Sequence, residues 1–307
     1  MTPNTQRNST PHQSASPAVG WIGLGAMGAP MARVTARAGM PVRAFDLNPE
    51  VLDSVAPDVE PASSAVAAAT DADVVVIMVA TGAQLDDVLF GANGIAGQLA
   101  DGTVVMVMST VGPAAIDAAR ERLDEAIGLV DAPVSGGVVR AGTGDLLVMV
   151  GGAETDVAAV RPLLDAMASN APVVGARPGD GQRFKIVNQL LCGVHIAAAG
   201  EALALADAMG LDLAQVHSVL GTGAAASFMF GDRGSRMVAR SFDDVRSALD
   251  IFVKDMGLVN DAADAAGQEV PLARSAQATY QRGHDAGLGR KDDSVVFALL
   301  RGESAEV

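Results

Sequence analysis

Three side chains able to move a proton and hold a polar ligand stand together in one helical stretch. Lys185, Asn188 and Gln189 are spaced i, i+3 and i+4, so they share one helix face. An amine and two amides on one face suit acid/base chemistry and substrate binding. A lysine in the first turns of a helix is equally at home as a solvated charge, and these residues alone leave both readings open. The stretch begins with Gly179-Asp180-Gly181-Gln182-Arg183-Phe184 and opens the longest helical pattern of the chain, to about Met209. It is also a divide. Before it, short Val-rich runs alternate with helical patterns; after it, no strand is evident.

A second chemical signal lies near the start. The strand pattern Val19-Gly20-Trp21-Ile22 runs into Gly23-Leu24-Gly25-Ala26-Met27-Gly28, followed by a helical pattern through Ala38 and a second strand, Val42–Phe45, that ends at Asp46. In dinucleotide binding, Gly23 permits the tight turn, Gly25 lets backbone approach a pyrophosphate, and Gly28 lets the helix pack on the strand. The pyrophosphate sits at the helix N-terminus, where free N–H groups and the dipole favour an anion. Asp46 stands where an acid accepts hydrogen bonds from the adenosine ribose. A carboxylate there repels a 2′-phosphate, and Leu47-Asn48 offers no arginine to receive one, so the pattern predicts NAD rather than NADP. Arg43 reads as a structural or surface residue.

The elements that must position these residues continue the alternation. Strands are predicted at Val74–Val79, Val104–Met108, Leu129–Asp131, Leu146–Val150 and Val173-Val174. Helices are predicted at Gln84–Phe90, Pro113–Ile127 and Glu154–Ala168. Such alternation implies an α/β fold with a mainly parallel sheet covered on both faces. Ligands bind beyond the carboxyl ends of such strands. Thr110 and Ser135 sit at two of those ends, where a turn or capping role would also suit them. Beyond the long helix, helices are predicted at Leu213–Leu220, Phe228–Val238, Val245–Ala266, Pro271–Asp285 and Ser294–Leu300, the last with Asp292 or Asp293 placed to cap it. Lys254-Asp255 falls within the third of these and, taken alone, reads as an exposed face.

Totals narrow the function classes. The chain has 307 residues and a net charge of −15. That length suits two domains, and that charge disfavours nucleic acid and anionic lipid as partners. The single cysteine, Cys192, permits no intrachain disulfide and reads as a small buried apolar residue on the Lys185 face. No His or Cys spacing suggests a metal site. Residues 1–17, rich in Ser, Thr, Pro, Asn and Gln, read as a disordered extension rather than a secretory signal. No apolar run long enough to span a membrane is evident, so the expectation is a soluble, cytoplasmic protein.

Taken together, the motifs resemble the β-hydroxyacid dehydrogenase family, which includes 3-hydroxyisobutyrate dehydrogenase and tartronate semialdehyde reductase. The matching segments are residues 23–28, Asp131-Ala132-Pro133-Val134-Ser135-Gly136-Gly137, Gly179 through Gln189, Lys254-Asp255, and Gly287-Leu288-Gly289 leading to Asp292. They keep the family's order from about residue 18 to residue 300. The resemblance implies a Rossmann-type, doubly wound NAD-binding domain at 18–179 and an all-helical substrate and oligomerisation domain at 180–307, joined by the long interdomain helix. Within the family, Gln189-Leu190-Leu191, the 193–199 segment, Asp250–Asp255 and Lys291–Ser294 look most like the L-threonate dehydrogenases. That group tends to carry His where this chain has Asn188; Asn188-Gln189 looks more like tartronate semialdehyde reductases.

The resemblance also implies roles. Lys185 matches the catalytic lysine. Thr110 matches a residue that contacts NAD near its nicotinamide, and Lys254 a second lysine close to the cofactor. Ser135, Gly136 and Gly137 match the loop that holds the substrate carboxylate, and Asn188 and Gln189 match substrate-binding or lysine-orienting amides. Asp292 matches the family's C-terminal acid. The implied reaction is NAD-dependent oxidation of a small hydroxy acid by a homodimer or homotetramer, with Lys185 as general acid/base and L-threonate as the expected substrate. The alternatives are 3-hydroxyisobutyrate dehydrogenase or tartronate semialdehyde reductase activity and, in other classes, an imine reductase or a non-catalytic NAD-binding protein.

Overall fold

The structure, a computed structural model, describes residues 16–303. The disordered extension expected at 1–17 therefore lies, but for its last two residues, outside the described part. Among the described residues there are eleven strands: β1 (Val19–Ile22), β2 (Val42–Phe45), β3 (Glu60–Pro61), β4 (Val74–Ile77), β5 (Val104–Val107), β6 (Gly128–Asp131), β7 (Val134–Ser135), β8 (Leu146–Val148), β9 (Val150–Gly152), β10 (Ala168–Asn170) and β11 (Val173–Gly175). Eight form one sheet in the order β11-β9-β6-β5-β4-β1-β2-β3. Its pairings are parallel except that of β6 with β9. The central strands β1, β4 and β5 are buried at every residue, which is why they read as unbroken apolar runs rather than alternating ones.

Two apolar cores flank this sheet. One gathers Trp21, Met31, Val76 and Met106 beneath the helices Gly28–Arg37 and Glu154–Met167. The other gathers Ile22, Ile77, Leu85 and Ile116 beneath the helices Gly82–Phe90 and Pro113–Arg122. Helices therefore cover both faces, as a doubly wound parallel sheet requires. A third core lies in the helical half, where Ile196, Leu203, Met237, Phe252, Met256, Tyr280 and Phe297 meet around the 29-residue helix Asp180–Ala208. Beyond Gly175 the described residues hold no strand, only an isolated bridge between Ala248 and Asp292.

Several boundaries depart from the sequence reading. The run Leu146–Val150 divides into two strands: β8 joins β7 and β10 in a separate three-stranded sheet, while β9 joins the large one. The helix from Pro113 stops at Arg122, because Leu123 turns extended and the chain must re-enter the sheet at Gly128. The helix expected from Val245 starts at Leu249. Three short helices, Pro49–Val55, Ala65–Ala69 and Gly137–Thr143, escaped the periodicity argument because each has only five to seven residues. The helix Asp180–Ala208 has a mean hydropathy of 1.5 over its most apolar window and is long enough to cross a membrane. That corrects the expectation that no stretch qualifies by composition. Its buried face is nevertheless polar in places, carrying Gln182, Lys185 and Gln189 bonded to neighbouring elements.

Candidate active site

The strand order reverses at β1, which lies between β2 and β4, so a crevice opens beyond the carboxyl ends of these strands. The chain leaves β1 through Gly23 at φ +96°, where a Cβ would stand 2.2 Å from the Met78 carbonyl oxygen. A Cβ on Gly28 would stand 2.2 Å from the Gly23 carbonyl oxygen. Packing thus demands both glycines. Gly25 differs: a Cβ there would meet nothing within 4 Å. The helix Gly28–Arg37 has no side-chain cap and no acid in its first turn. The Ala29 N–H donates to the Gly25 carbonyl and residue 30 is proline, so what the helix offers an anion is its positive dipole end and the N–H groups of the turn that leads into it. Asp46 closes the arrangement from the end of β2. Its Oδ2 accepts from the Leu24 N–H at 2.6 Å and its Oδ1 from the Asn48 N–H at 2.8 Å. An open backbone at Gly25, uncapped N–H groups and a fixed carboxylate fit the pyrophosphate and ribose of a dinucleotide.

Across the sheet, the end of β6 anchors the long helix. Asp131 is fully buried; its Oδ1 accepts from the Gly179 N–H at 2.7 Å and its Oδ2 from the Gln182 N–H at 2.6 Å. Gly151 and Gly181 leave room for it, since a Cβ on either would come within 2.5 and 2.8 Å of its carboxylate oxygens. Burial outweighs these hydrogen bonds and pushes the Asp131 carboxyl up to about 6. Gln182 extends the joint to the loop after β5. Its Oε1 accepts from the Val111 and Gly112 N–H groups, both at 3.1 Å, and its Nε2 donates to the Ser109 carbonyl at 2.9 Å. The same loop is held from the helical half, where Lys254 Nζ donates to the Thr110 carbonyl at 2.8 Å.

Lys185 lies one turn beyond Gln182 and is only 6% exposed. Its Nζ donates to the Val134 carbonyl at 2.8 Å, which places the amine at the entrance to the Ser135-Gly136-Gly137 loop. Burial lowers its pKa below the ordinary lysine value; Asp255 and Cys192 oppose the shift and the Lys254 charge adds to it. Beside it runs a chain of side-chain hydrogen bonds. Asn188 Nδ2 donates to Gln189 Oε1 at 2.7 Å and to Cys192 Sγ at 3.4 Å. Gln189 Nε2 donates to Asp255 Oδ2. Asp255 Oδ1 lies 2.9 Å from Lys254 Nζ as an ion pair, while the well-aligned bond of that ammonium goes to Thr110.

The structure thus gathers Lys185, Asn188, Gln189, Lys254, the Thr110 backbone and the 134–137 loop around one seam. The glycine turn of Leu24, Ala26 and Met27 lies with Asp46 at the crevice beyond β1. Ser135 ends β7 in the small sheet rather than a strand of the large one. Cys192 is half-buried and accepts from Asn188, so the reading of it as a purely apolar filler is corrected; burial pushes its thiol pKa up. Lys254-Asp255 is no exposed face: Asp255 is buried and Lys254 is partly so. Asp292 is fully buried. It caps the turn at Ser294, as expected, and pairs with Arg236 at 2.5 Å, so its contacts are architectural. Gln182 and Asp131 were missed as site residues, because their partners lie 48 to 73 positions away. Arg43 bonds the Thr70 carbonyl, a structural contact.

Comparison with known proteins agrees with this geometry. Residues 18–175 match the NAD binding domain of 6-phosphogluconate dehydrogenase, and residues 179–300 match the NAD-binding family of NADP-dependent 3-hydroxyisobutyrate dehydrogenase. An L-threonate dehydrogenase of Haemophilus influenzae is 40% identical, the match covering 92% of this chain and 95% of that protein. A 2-hydroxy-3-oxopropionate reductase of Escherichia coli is 34% identical, the match covering 92% of this chain and 96% of that protein. A crystal structure described as 3-hydroxyisobutyrate dehydrogenase from Salmonella typhimurium superposes with a TM-score of 0.85 at 40% identity, covering 92% of this chain and all of that one. The chain belongs to the β-hydroxyacid dehydrogenase family of 3-hydroxyisobutyrate dehydrogenase-like enzymes, and it is a nicotinamide-dependent hydroxyacid dehydrogenase.

Proposed function

We propose that this chain oxidises L-threonate to 2-dehydro-L-erythronate with NAD, using Lys185 as the general acid/base. The observation that carries the chemistry is the buried amine of Lys185, its pKa lowered by burial, at the mouth of the Ser135-Gly136-Gly137 loop. A neutral amine accepts the hydroxyl proton during oxidation and returns it during reduction. The cofactor, when bound, accepts the hydride from the same carbon. Ser135, Gly136 and Gly137 offer a hydroxyl and backbone N–H groups to the substrate carboxylate; Gly137 has open space at its Cα. That anchor sets which carbon faces the cofactor. Asn188 takes the substrate side of Lys185, and Gln189, bonded to Asn188 and to Asp255, orients it. Thr110 and Lys254 hold the loop after β5 for the nicotinamide end of the cofactor. Gly23, Leu24, Gly25, Ala26, Met27 and Gly28 take the pyrophosphate. Asp46 takes the ribose, and its carboxylate favours NAD over NADP.

L-Threonate is supported by the threonate dehydrogenase relatives at 38–40% identity. Asn188 supports a second reading, since Asn188-Gln189 looks more like the tartronate semialdehyde reductases, and a reductase relative named for 2-hydroxy-3-oxopropionate matches most of the chain. NADH formation across L-threonate, D-erythronate, D-glycerate, 3-hydroxyisobutyrate and 4-hydroxybutyrate separates them. A clear preference for L-threonate supports the first reading, and a preference for glycerate moves the enzyme to the second. Bound cofactor with no turnover on any acid would count against both and favour imine reduction or a non-catalytic role.

The functional division we infer is a cofactor domain over 18–179 and a substrate and oligomerisation domain over 180–307. Phe184, Val187 and Leu191 form an exposed apolar row on the long helix, with Leu205 and Met209 exposed further along. Such a row suits contact with a second copy, in line with a cytoplasmic homodimer or homotetramer. Sedimentation of the purified protein at a monomer's mass would remove this part of the proposal.

A further inference from the structure

We propose that Asp255 sets the hydrogen-bonding sense of Asn188 through Gln189, so that Asn188 presents an acceptor reserved for a substrate hydroxyl other than the one oxidised. The inference rests on the assignment of Lys185 as proton acceptor.

Donors and acceptors alternate along the chain from Lys254 through Asp255 and Gln189 to Asn188. Asp255 is paired with Lys254, and an ionised carboxylate only accepts. Gln189 must therefore turn its Nε2 toward Asp255 and its Oε1 the other way. That oxygen faces Asn188, which must answer with a donor, so Nδ2 points inward. The second hydrogen of Nδ2 goes to Cys192 Sγ. Both donors of the Asn188 amide are then used. Its Oδ1 takes no hydrogen bond from the described residues, and it is the one polar edge left for a ligand. An amide free to turn could offer either edge; here the carboxylate at the far end decides.

The identity of the partner follows from a count of protons. A hydroxyl carries one hydrogen, and the reacting hydroxyl gives its hydrogen to Lys185. Asn188 Oδ1 needs a different donor. Of the substrate's own groups the carboxylate has none, so the donor the substrate can offer is a second hydroxyl on the same acid. The site is thereby matched to polyhydroxy acids over monohydroxy acids. Asp255 is a positioning residue two side chains away from the contact it controls.

The test compares L-threonate with its two deoxy analogues, 2,4-dihydroxybutanoate and 2,3-dihydroxybutanoate, each lacking one non-reacting hydroxyl. The ratio of kcat/KM for the parent acid to that for each analogue is measured in the parent protein and in Asn188→Ala, Gln189→Leu and Asp255→Asn. Gln189→Leu breaks the chain without leaving Lys254 unpaired, and NADH binding confirms that each variant is folded. In the parent protein one analogue should be worse by about tenfold or more, the loss expected when a site's polar group is left unpaired. In all three variants that ratio should collapse toward one, mainly through KM. A parent ratio near one for both analogues overturns the proposal. So does a ratio unchanged in Asn188→Ala with kcat falling alike on all acids, which would make Asn188 an orienter of Lys185. Collapse in Asn188→Ala alone would remove Asp255 and Gln189 from the device. If no acid is turned over, the substrate reading fails by itself, and titration of the same acids into the protein–NADH complex reads the same ratio.

Discussion

Lys254 reaches across 144 positions of sequence to donate to the Thr110 carbonyl, tying the helical half to the loop after β5. Its ammonium also lowers the Lys185 pKa. One side chain therefore holds that loop and adds to the lowering of the Lys185 pKa that burial begins. Lys254→Met should weaken cofactor binding by about tenfold, the cost of losing a charge-assisted hydrogen bond. It removes a positive neighbour and frees Asp255, and both changes raise the Lys185 pKa. The acidic limb of the oxidation rate, where Lys185 must lose its proton to act as the base, should accordingly move to higher pH. A pH profile of kcat/KM that does not move would separate the two lysines.

Lys185→Ala should keep NADH binding, read by fluorescence, while kcat falls by about a hundred- to ten-thousandfold, the range for a lost general base. Small primary amines added to this variant should restore part of the rate. Turnover near that of the parent protein would move the proton acceptor elsewhere.

The glycines of the first turn separate folding from binding. Gly28→Ala should lower the melting temperature, because its Cβ would collide with the Gly23 carbonyl. Gly25→Ala should leave the melting temperature of the cofactor-free protein in place, because its Cβ meets nothing, yet it should abolish detectable NADH binding. Cofactor binding by Gly25→Ala at parental affinity would place the pyrophosphate elsewhere.

Asp131 predicts a pH dependence of stability. Its carboxyl is raised to about 6 in the folded protein from an ordinary 3.8. Between those values the folded state binds the proton more tightly than the unfolded chain. Its contribution is therefore fully present below pH 3.8 and is lost as pH rises through 6, by an amount on the order of 3 kcal/mol. Denaturant unfolding at stepped pH should show this slope in the parent protein and not in Asp131→Asn. An identical slope in both would assign the titration to another group.

The helices Leu213–Leu220 and Pro271–Asp285 were legible to the residue, because Asp212 caps one and Pro271 opens the other. The glycine turn, Asp46 and the Lys185 face were equally legible, since each is a local pattern with a local physical meaning. The division of Leu146–Val150 between two sheets was not. An apolar run says that a strand is buried but not which partner it joins, and the change falls at a single residue, Met149. The joint formed by Asp131 and Gln182 was also hidden. Neither residue has a neighbour in sequence that announces it, and each acts only once distant backbone N–H groups have been brought to it. Cys192 misled for the opposite reason: its residue type favours an apolar surrounding, and here the neighbouring Asn188 makes it an acceptor.

The anchoring of the long helix at its first turn has a mechanical consequence. Asp131 and Gln182 pin one end of a rod of 29 residues, about 43 Å long at 1.5 Å per residue. Lys185 sits about 8 Å from the pinned end, whereas the remote end lies several times further out. If the rod tilts about that pivot, the tip sweeps a wide arc while Lys185 hardly stirs. The amine keeps its place against the sheet even as the far helices rock. A displacement applied at the far end, near Leu205, would reach the reacting atoms reduced to roughly a fifth of its amplitude.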